Sequence, residues 1–287
     1  MMPLDPARLH ELFDILKDIH SIHQPNRLWR YILERSCQLL GAEGGSFFTV
    51  LPDDRMELAA AVGVDEERLR RVPMRVGTGV CGWVAQNRQP ALVDNAHSDS
   101  RFNPFADQVT GVSTQSLLCI PVFSMEKTYG VLELVNGANG TFTADDQEFM
   151  SVLGQQTAVA YQNLLLIKET AQTKVLFESV VINMGGGLIA MDAQGAVTIL
   201  NPSARQLLAL PSMAVVGAPA AAVLMEYPAL LQVLMRTLAS KTMVSREETT
   251  LTVSGQPSRF GYSTIYMSDT EQTMVGSGVI FQKLSPA

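Results

Sequence analysis

The sequence predicts an α+β chain of two domains, each an antiparallel sheet with flanking helices, joined by a long helix. Three observations carry this. Short β-rich runs bounded by turn residues occur in two sets, one before residue 136 and one after residue 186. Segments with apolar residues three and four apart accompany both sets. Between the sets, no Gly or Pro interrupts residues 155–184, and a helical pattern this long outlasts one domain. The 287 residues suffice for two domains of ordinary size.

The elements follow in order. Residues 8–40 read as one or two amphipathic helices. Leu9, Leu12, Phe13, Leu16 and Ile19 form the first apolar series and Leu28, Tyr31, Ile32 and Leu39 the second, with "HQPN" at 23–26 as the break. "GGSFFTVLPDDRMELAAAVG" reads as a hairpin with its turn at Pro52-Asp53-Asp54. "GVCGWVAQNRQ" is a short helix and "ALVDN" a short strand. "AHSDSRFNPFADQVTGVST" is a long polar stretch with aromatic residues. "SLLCIPVFS" and "TYGVLELVNG" are two further strands.

The long helix spans residues 144–184. Thr143 can cap it, with Asp145 and Asp146 in the first turn, where the helix dipole favours negative charge. Its apolar series runs Phe149, Val152, Leu153, Val159, Ala160, Leu164, Ile167, Ala171 and Val175, and is expected to pair with a second copy in a parallel homodimer. Beyond it, "GGGLIAMDAQGAVTILNPSARQLLAL" reads strand, turn, strand, helix. Asn201 before Pro202 is a strong helix start. "ALLQVLMRTLAS" is a helix, and "EETTLTVSG", "SRFGYSTIYM" and "MVGSGVIFQKL" are strands.

Composition narrows function. The chain is 47% hydrophobic and 17% charged, which is globular. A net charge of −7 without a basic stripe argues against a nucleic-acid partner. No secretory leader is evident, and the apolar run "SMAVVGAPAAAVLMEYP" is too short and too broken to span a membrane, so a cytoplasmic protein with no membrane partner is expected. Cys37, Cys81 and Cys119 are odd in number and widely spaced, which fits a reducing compartment and forms no metal pattern. His20 and His23 sit three apart, as if on a helix, with His10 upstream but no acidic or Cys partner placed beside them, so no metal is expected there either. No catalytic constellation is evident. Asp53-Asp54 and Asp145-Asp146 are a turn and a helix start, and the serines lack a His partner.

Gly77, Gly79 and Gly82 spell G-x-G-x-x-G, the string of a dinucleotide-binding turn. Such a turn follows a buried strand, whereas "EERLRRVPMRV" is charged and carries Pro73. Asp94 comes too soon after the glycines to be the ribose-binding acid. The glycines therefore need another reason.

"GTGVCGWVAQNRQPALVDNAHSDSRFN", followed by "SLLCIPVFSMEKTYGVLELVNGANGTFTADDQEFM", resembles a GAF domain over roughly residues 10–168. The family's glycine-rich turn stands beside a ligand pocket, which gives Gly77, Gly79 and Gly82 a role without phosphate. Residues 174–287 resemble a PAS domain through "GLIAMDAQGAVTILNPSARQLLAL" and "GSGVIFQKL". The expected domains are thus a sensory GAF domain at 1–168, a connecting helix at 144–184 and a PAS domain at 174–287. Within the first family, "DSRFNPFADQVTGVSTQSLLCIPV" is similar to the cyclic-nucleotide-binding type. That resemblance implies a pocket containing Ser46, Val80, Cys81, Phe102, Asn103, Asp107, Thr110, Thr114 and Glu133, with cAMP or cGMP as ligand and no obligatory cofactor or metal.

The sequence departs from the family in places. Of the N-K-F-D-E signature, Asn136, Phe142 and Asp146 are present, Gly137 follows Asn136, and Gln147 replaces the last Glu. Asn103 stands where an aromatic is expected, and no acid follows the second strand at Ala61–Gly63. The PAS-like region has no His and no Cys, so haem through His and flavin through a Cys adduct lack their residue there. The reading is a sensory, non-enzymatic signalling protein that relays a ligand-bound state through the helix. It would be the sensing part of a larger protein or the partner of a separate effector. The alternative is a dimerisation scaffold with empty pockets.

Overall fold

The computed structural model describes residues 6–284 except Glu126. The chain divides into two compact units at Thr170/Ala171.

The first unit opens with α1 (Pro6–Ile19) and α2 (Pro25–Leu40). Leu12, Ile15 and Ile19 of α1 are buried, whereas Phe13, expected in the apolar stripe, is 62% exposed. The side chain of Leu9 lies outside the described residues. Pro25 sits in the first turn of α2, where its missing N–H costs nothing, so the break is at 20–24 rather than at Pro25. His20 and His23 fall in this connection and not on a helix.

A six-stranded antiparallel sheet follows, in the order β3-β2-β1-β6-β5-β4. Its strands are β1 (Gly44–Val50), β2 (Arg55–Val62), β3 (Met74–Arg75), β4 (Ala91–Val93), β5 (Leu117–Ser124) and β6 (Lys127–Val135). Both faces are covered, and strand periodicity sorts the residues. Phe47, Leu118, Ile120, Leu132 and Leu134 face α1, α2 and the start of the long helix α6, where the Trp29 ring stacks on Phe47 at 4.0 Å between centroids. Phe48, Leu117, Cys119, Val131 and Val135 face the other side. That side is covered by α3 (Glu66–Leu69), α4 (Gly79–Asn87) and α5 (Phe105–Thr110). The long polar stretch with aromatic residues contains a helix, α5, and a 3₁₀ turn at Ala96–Ser98.

The long helix α6 runs from Ala144 to Asn183. Its start is a reciprocal cap: Asp146 N donates to Thr143 Oγ1 at 3.2 Å, and Thr143 N donates to Asp146 Oδ2 at 2.9 Å.

The second unit is a five-stranded antiparallel sheet, β8-β7-β11-β10-β9. It comprises β7 (Gly187–Asp192), β8 (Val197–Leu200), β9 (Glu247–Val253), β10 (Gln256–Ser268) and β11 (Met274–Lys283), with α7 (Pro202–Leu207), α8 (Ala220–Val223) and α9 (Pro228–Ser240). Its core holds Tyr227, Leu230, Leu234, Phe260 and Phe281, the two Phe rings meeting edge-on at 6.0 Å. Asn201 caps α7: its Oδ1 accepts from Ala204 N and from Leu188 N, each at 2.8 Å, and its Nδ2 donates to Gly186 O at 2.9 Å.

Candidate functional site

The face of the first sheet turned away from α6 carries a cavity. All nine residues expected in the ligand pocket line it: Ser46, Val80, Cys81, Phe102, Asn103, Asp107, Thr110, Thr114 and Glu133. Strand register builds its floor. Glu133 of β6 is paired with Ser46 of β1 on one side and with Cys119 of β5 on the other. These three side chains form one row across three adjacent strands, on the same face of the sheet.

Over the row stands α4. The turn before it is shaped by the three glycines. Gly77 and Gly79 have φ of 82° and 72°, the left-handed region that favours glycine. A Cβ on Gly82 would stand 2.2 Å from the carbonyl oxygen of Arg75. The strand before the turn, β3, is a two-residue edge strand antiparallel to β2, so the G-x-G-x-x-G turn lacks the parallel βαβ setting of a dinucleotide site. The turn aims the first residues of α4 at the cavity, and first-turn N–H groups have no carbonyl partner within their own helix.

Much of the polar lining is already paired. Ser46 Oγ donates to Glu133 Oε2 at 2.8 Å, and Cys81 Sγ to Glu133 Oε1 at 3.2 Å. Asp107 accepts from Thr114 Oγ1 at 2.6 Å and from Thr114 N at 2.9 Å, which ties α5 to the chain entering β5. Asn103 Oδ1 accepts from Phe105 N at 3.0 Å at the entry to α5. The lining contains no Lys, Arg or His among the described residues. Burial pushes the Glu133 carboxyl above its ordinary pKa, against the bonds from Cys81 and Ser46, with the charge of Asp107 adding to the rise. The contact with Cys119 and then burial push the Cys81 thiol up.

Several lining residues escaped sequence reasoning. Val64, Leu69, Val72 and Met74 supply an apolar wall from the segment around α3 and β3. The sequence signs of that helix are Asp65, whose carboxylate accepts from Arg68 N at 3.1 Å as an N-cap, and Glu66 and Glu67 in the first turn. Cys119 had no visible link to Cys81, 38 residues away, yet their sulfurs are 3.8 Å apart. Among the described residues, Cys81, Cys119 and Glu133 are the only group of three such donors gathered within 4.8 Å, where cysteine spacing alone gave no metal pattern.

The partial signature is structural here. Asn136 Nδ2 donates to Glu43 Oε2 at 2.6 Å and its Oδ1 accepts from Gln115 N at 2.8 Å. Phe142 is buried in the core. At Gly137 a Cβ would stand 2.4 Å from the Thr141 carbonyl oxygen, so no side chain fits where the family has Lys.

Residues 24–161 match the GAF domain family and residues 176–284 the PAS fold. The chain carries a GAF domain followed by a PAS domain. It is 30% identical over 189 residues to the dual 3',5'-cyclic-AMP and -GMP phosphodiesterase 11 of Drosophila melanogaster, covering 60% of this chain and 13% of that protein. It is 27% identical over 161 residues to the cGMP-specific 3',5'-cyclic phosphodiesterase of Drosophila mojavensis, covering 52% of this chain and 14% of that one. The chain thus spans less than a quarter of the length of the curated relatives it matches, at 13–23%. Among solved structures, the GAF domain of an Acinetobacter phosphoenolpyruvate-protein phosphotransferase superposes with a TM-score of 0.50 at 20% identity, covering 57% of this chain and 98% of that one. That likeness is one of fold. GAF and PAS domains are regulatory modules, and no helix among the described residues is long and apolar enough to cross a membrane.

Proposed function

We propose that this chain is a sensory signalling module whose GAF cavity binds a cyclic nucleotide, cAMP or cGMP, and that it regulates rather than catalyses. The carrying observation is the cavity's lining. Ser46, Asp107, Thr110, Thr114 and Glu133 converge among apolar walls, beside the first turn of α4. A purine edge needs donors and acceptors, and a cyclic phosphate suits hydroxyls and helix-start N–H groups where no cationic side chain is at hand. The cyclic-nucleotide phosphodiesterases matched by the GAF region support the same reading. The bound state would be relayed through α6, paired with its twin in a parallel homodimer, to the PAS domain and an effector.

Titration calorimetry of cAMP and cGMP tests the ligand. Asp107→Ala and Thr114→Ala should each weaken binding by about 1–3 kcal/mol, because each removes a partner from the wall of the cavity. Silence from both nucleotides at millimolar concentration would retire the reading. It would leave the second one, a scaffold with an unused cavity. That alternative draws on a specific observation: Asp107 with Thr114, and Glu133 with Ser46, satisfy one another without a ligand.

A further inference from the structure

We propose that Cys81, Cys119 and Glu133 form a binding site for one thiophilic transition-metal ion, with zinc the best-fitting case. The three donors come from three elements: the first turn of α4, the early part of β5 and the later part of β6. Cys81 Sγ stands 3.8 Å from Cys119 Sγ and 3.2 Å from Glu133 Oε1. Two sulfurs bound to a tetrahedral zinc at about 2.3 Å each lie about 3.8 Å apart, and a sulfur and a carboxylate oxygen about 3.5 Å apart. The cluster matches the first edge, needs a small adjustment at the second, and has its third, Cys119 to Glu133, within 4.8 Å.

Packed thiols touch at a similar distance, so the sulfur spacing alone would not carry the site. The third donor marks the site: a carboxylate oxygen meets both sulfurs, all three within 4.8 Å of one another. Among the described residues Glu133 bonds to Ser46 and Cys81, and no Lys, Arg or His lines the cavity beside it. A divalent ion bound there displaces the protons of the two thiols and the carboxyl, and its charge offsets two of the three negative charges that result. Thiolate donors select zinc or copper(I) over magnesium or calcium.

The surroundings are those of a held ligand set. Cross-strand pairing of Cys119 with Glu133, and of Glu133 with Ser46, fixes two ligands in register. Ser46 Oγ holds Oε2, which orients Oε1 toward the sulfurs, as outer hydrogen bonds do around metal ligands. Cys81 and Glu133 both line the cavity, so the fourth coordination position opens into it. Three protein ligands with one open position is the arrangement of a zinc ion that takes water or an exchangeable ligand. The site rests on no part of the nucleotide reading.

Cobalt(II) titration of the full chain, reduced, stripped of metal and kept anaerobic, tests it without nucleotide present. One equivalent should bind with a thiolate-to-cobalt charge-transfer band, and zinc should displace it. Cys81→Ser and Cys119→Ser should each weaken binding beyond the about 10- to 100-fold expected for Ser46→Ala, which loses only an outer partner. Cys37→Ser, buried on the opposite face of the sheet, should bind as the parent does. Circular dichroism establishes that each variant is folded. Should a cysteine variant fail to fold, Glu133→Gln is the second test, and it should keep the charge-transfer band while lowering affinity. Absence of the band in the parent, unchanged affinity in both cysteine variants, or unchanged affinity in Glu133→Gln would overturn the site.

Discussion

At the scale of single residues, backbone geometry decides what the glycine string means. Gly82 N-terminal to Trp83 packs against Arg75 so closely that a methyl group must move the turn. Gly82→Ala should therefore lower stability by about 1–3 kcal/mol, the usual range for overpacking, read as a shift in the urea midpoint. An unchanged midpoint would mean the turn yields freely. Asp146 supplies a pH dependence. Burial opposes its ionisation, but the bonds from Thr143 and from Arg8, whose guanidinium lies 2.7 Å away, outweigh it and hold the carboxyl below its ordinary range. A carboxyl depressed in the folded state contributes stability above its unfolded pKa of about 3.9 and loses it as pH falls through the folded value. Asp146→Asn should thus be less stable than the parent at neutral pH, with the gap closing below about pH 4. A gap that stays constant down to pH 2 would contradict the assignment. Residue-level legibility was uneven. Ser46 and Glu133 were readable through family resemblance, while Cys119 gained its meaning only from the β5–β6 register, a long-range fact that no local spacing encodes.

Elements were legible where local chemistry and tertiary packing agree. Thr143 with Asp146, and Asn201 with Pro202, marked helix starts that the structure contains as hydrogen bonds. The helix α5 was missed because its six residues sit in a polar stretch and bury no side chain fully; Asp107 holding Thr114 secures it instead of an apolar stripe. Phe13 misled because a wide apolar spread on α1 does not say which residues point inward. The Asn201 cap makes a prediction for its own element. Asn201→Ala leaves the N–H groups of Leu188 and Ala204 without this acceptor, at a cost of about 2 kcal/mol or more. Both tryptophans, Trp29 and Trp83, belong to the first unit. Thermal unfolding followed by far-ultraviolet circular dichroism should therefore shift in the variant, while the tryptophan-fluorescence midpoint stays in place. A fluorescence shift of equal size would mean that the two units unfold as one.

For the whole molecule, the question is what covers α6. Val159, Asn163, Leu166, Thr170, Thr173, Phe177 and Val180 follow alternating steps of four and three, the spacing of a coiled-coil seam, and all are exposed in the single chain. Leu166 is 53% exposed, Phe177 54% and Val180 56%, which is much apolar surface for one helix to leave in water. Ile167 lies beside this seam, and the register through it meets Lys174 seven residues on, so the seam through Leu166 is the better one. Asn163 at a seam position fits a paired coil, where a polar core residue fixes register at some cost in stability. Each large apolar side chain buried against the twin contributes about 1.5–3 kcal/mol, and an unpaired charge in its place costs at least as much again. Leu166→Glu and Phe177→Glu should each convert a dimer to monomers at tens of micromolar, as sedimentation equilibrium would record. Val175 belongs to the longer apolar series expected to pair but falls off this seam, so Val175→Glu, at a residue 62% exposed, should leave the dimer intact. A parent that is monomeric, or a Val175 variant that dissociates as readily as the Leu166 variant, would mean that α6 connects the two domains within one chain and that the relay does not run through a paired helix.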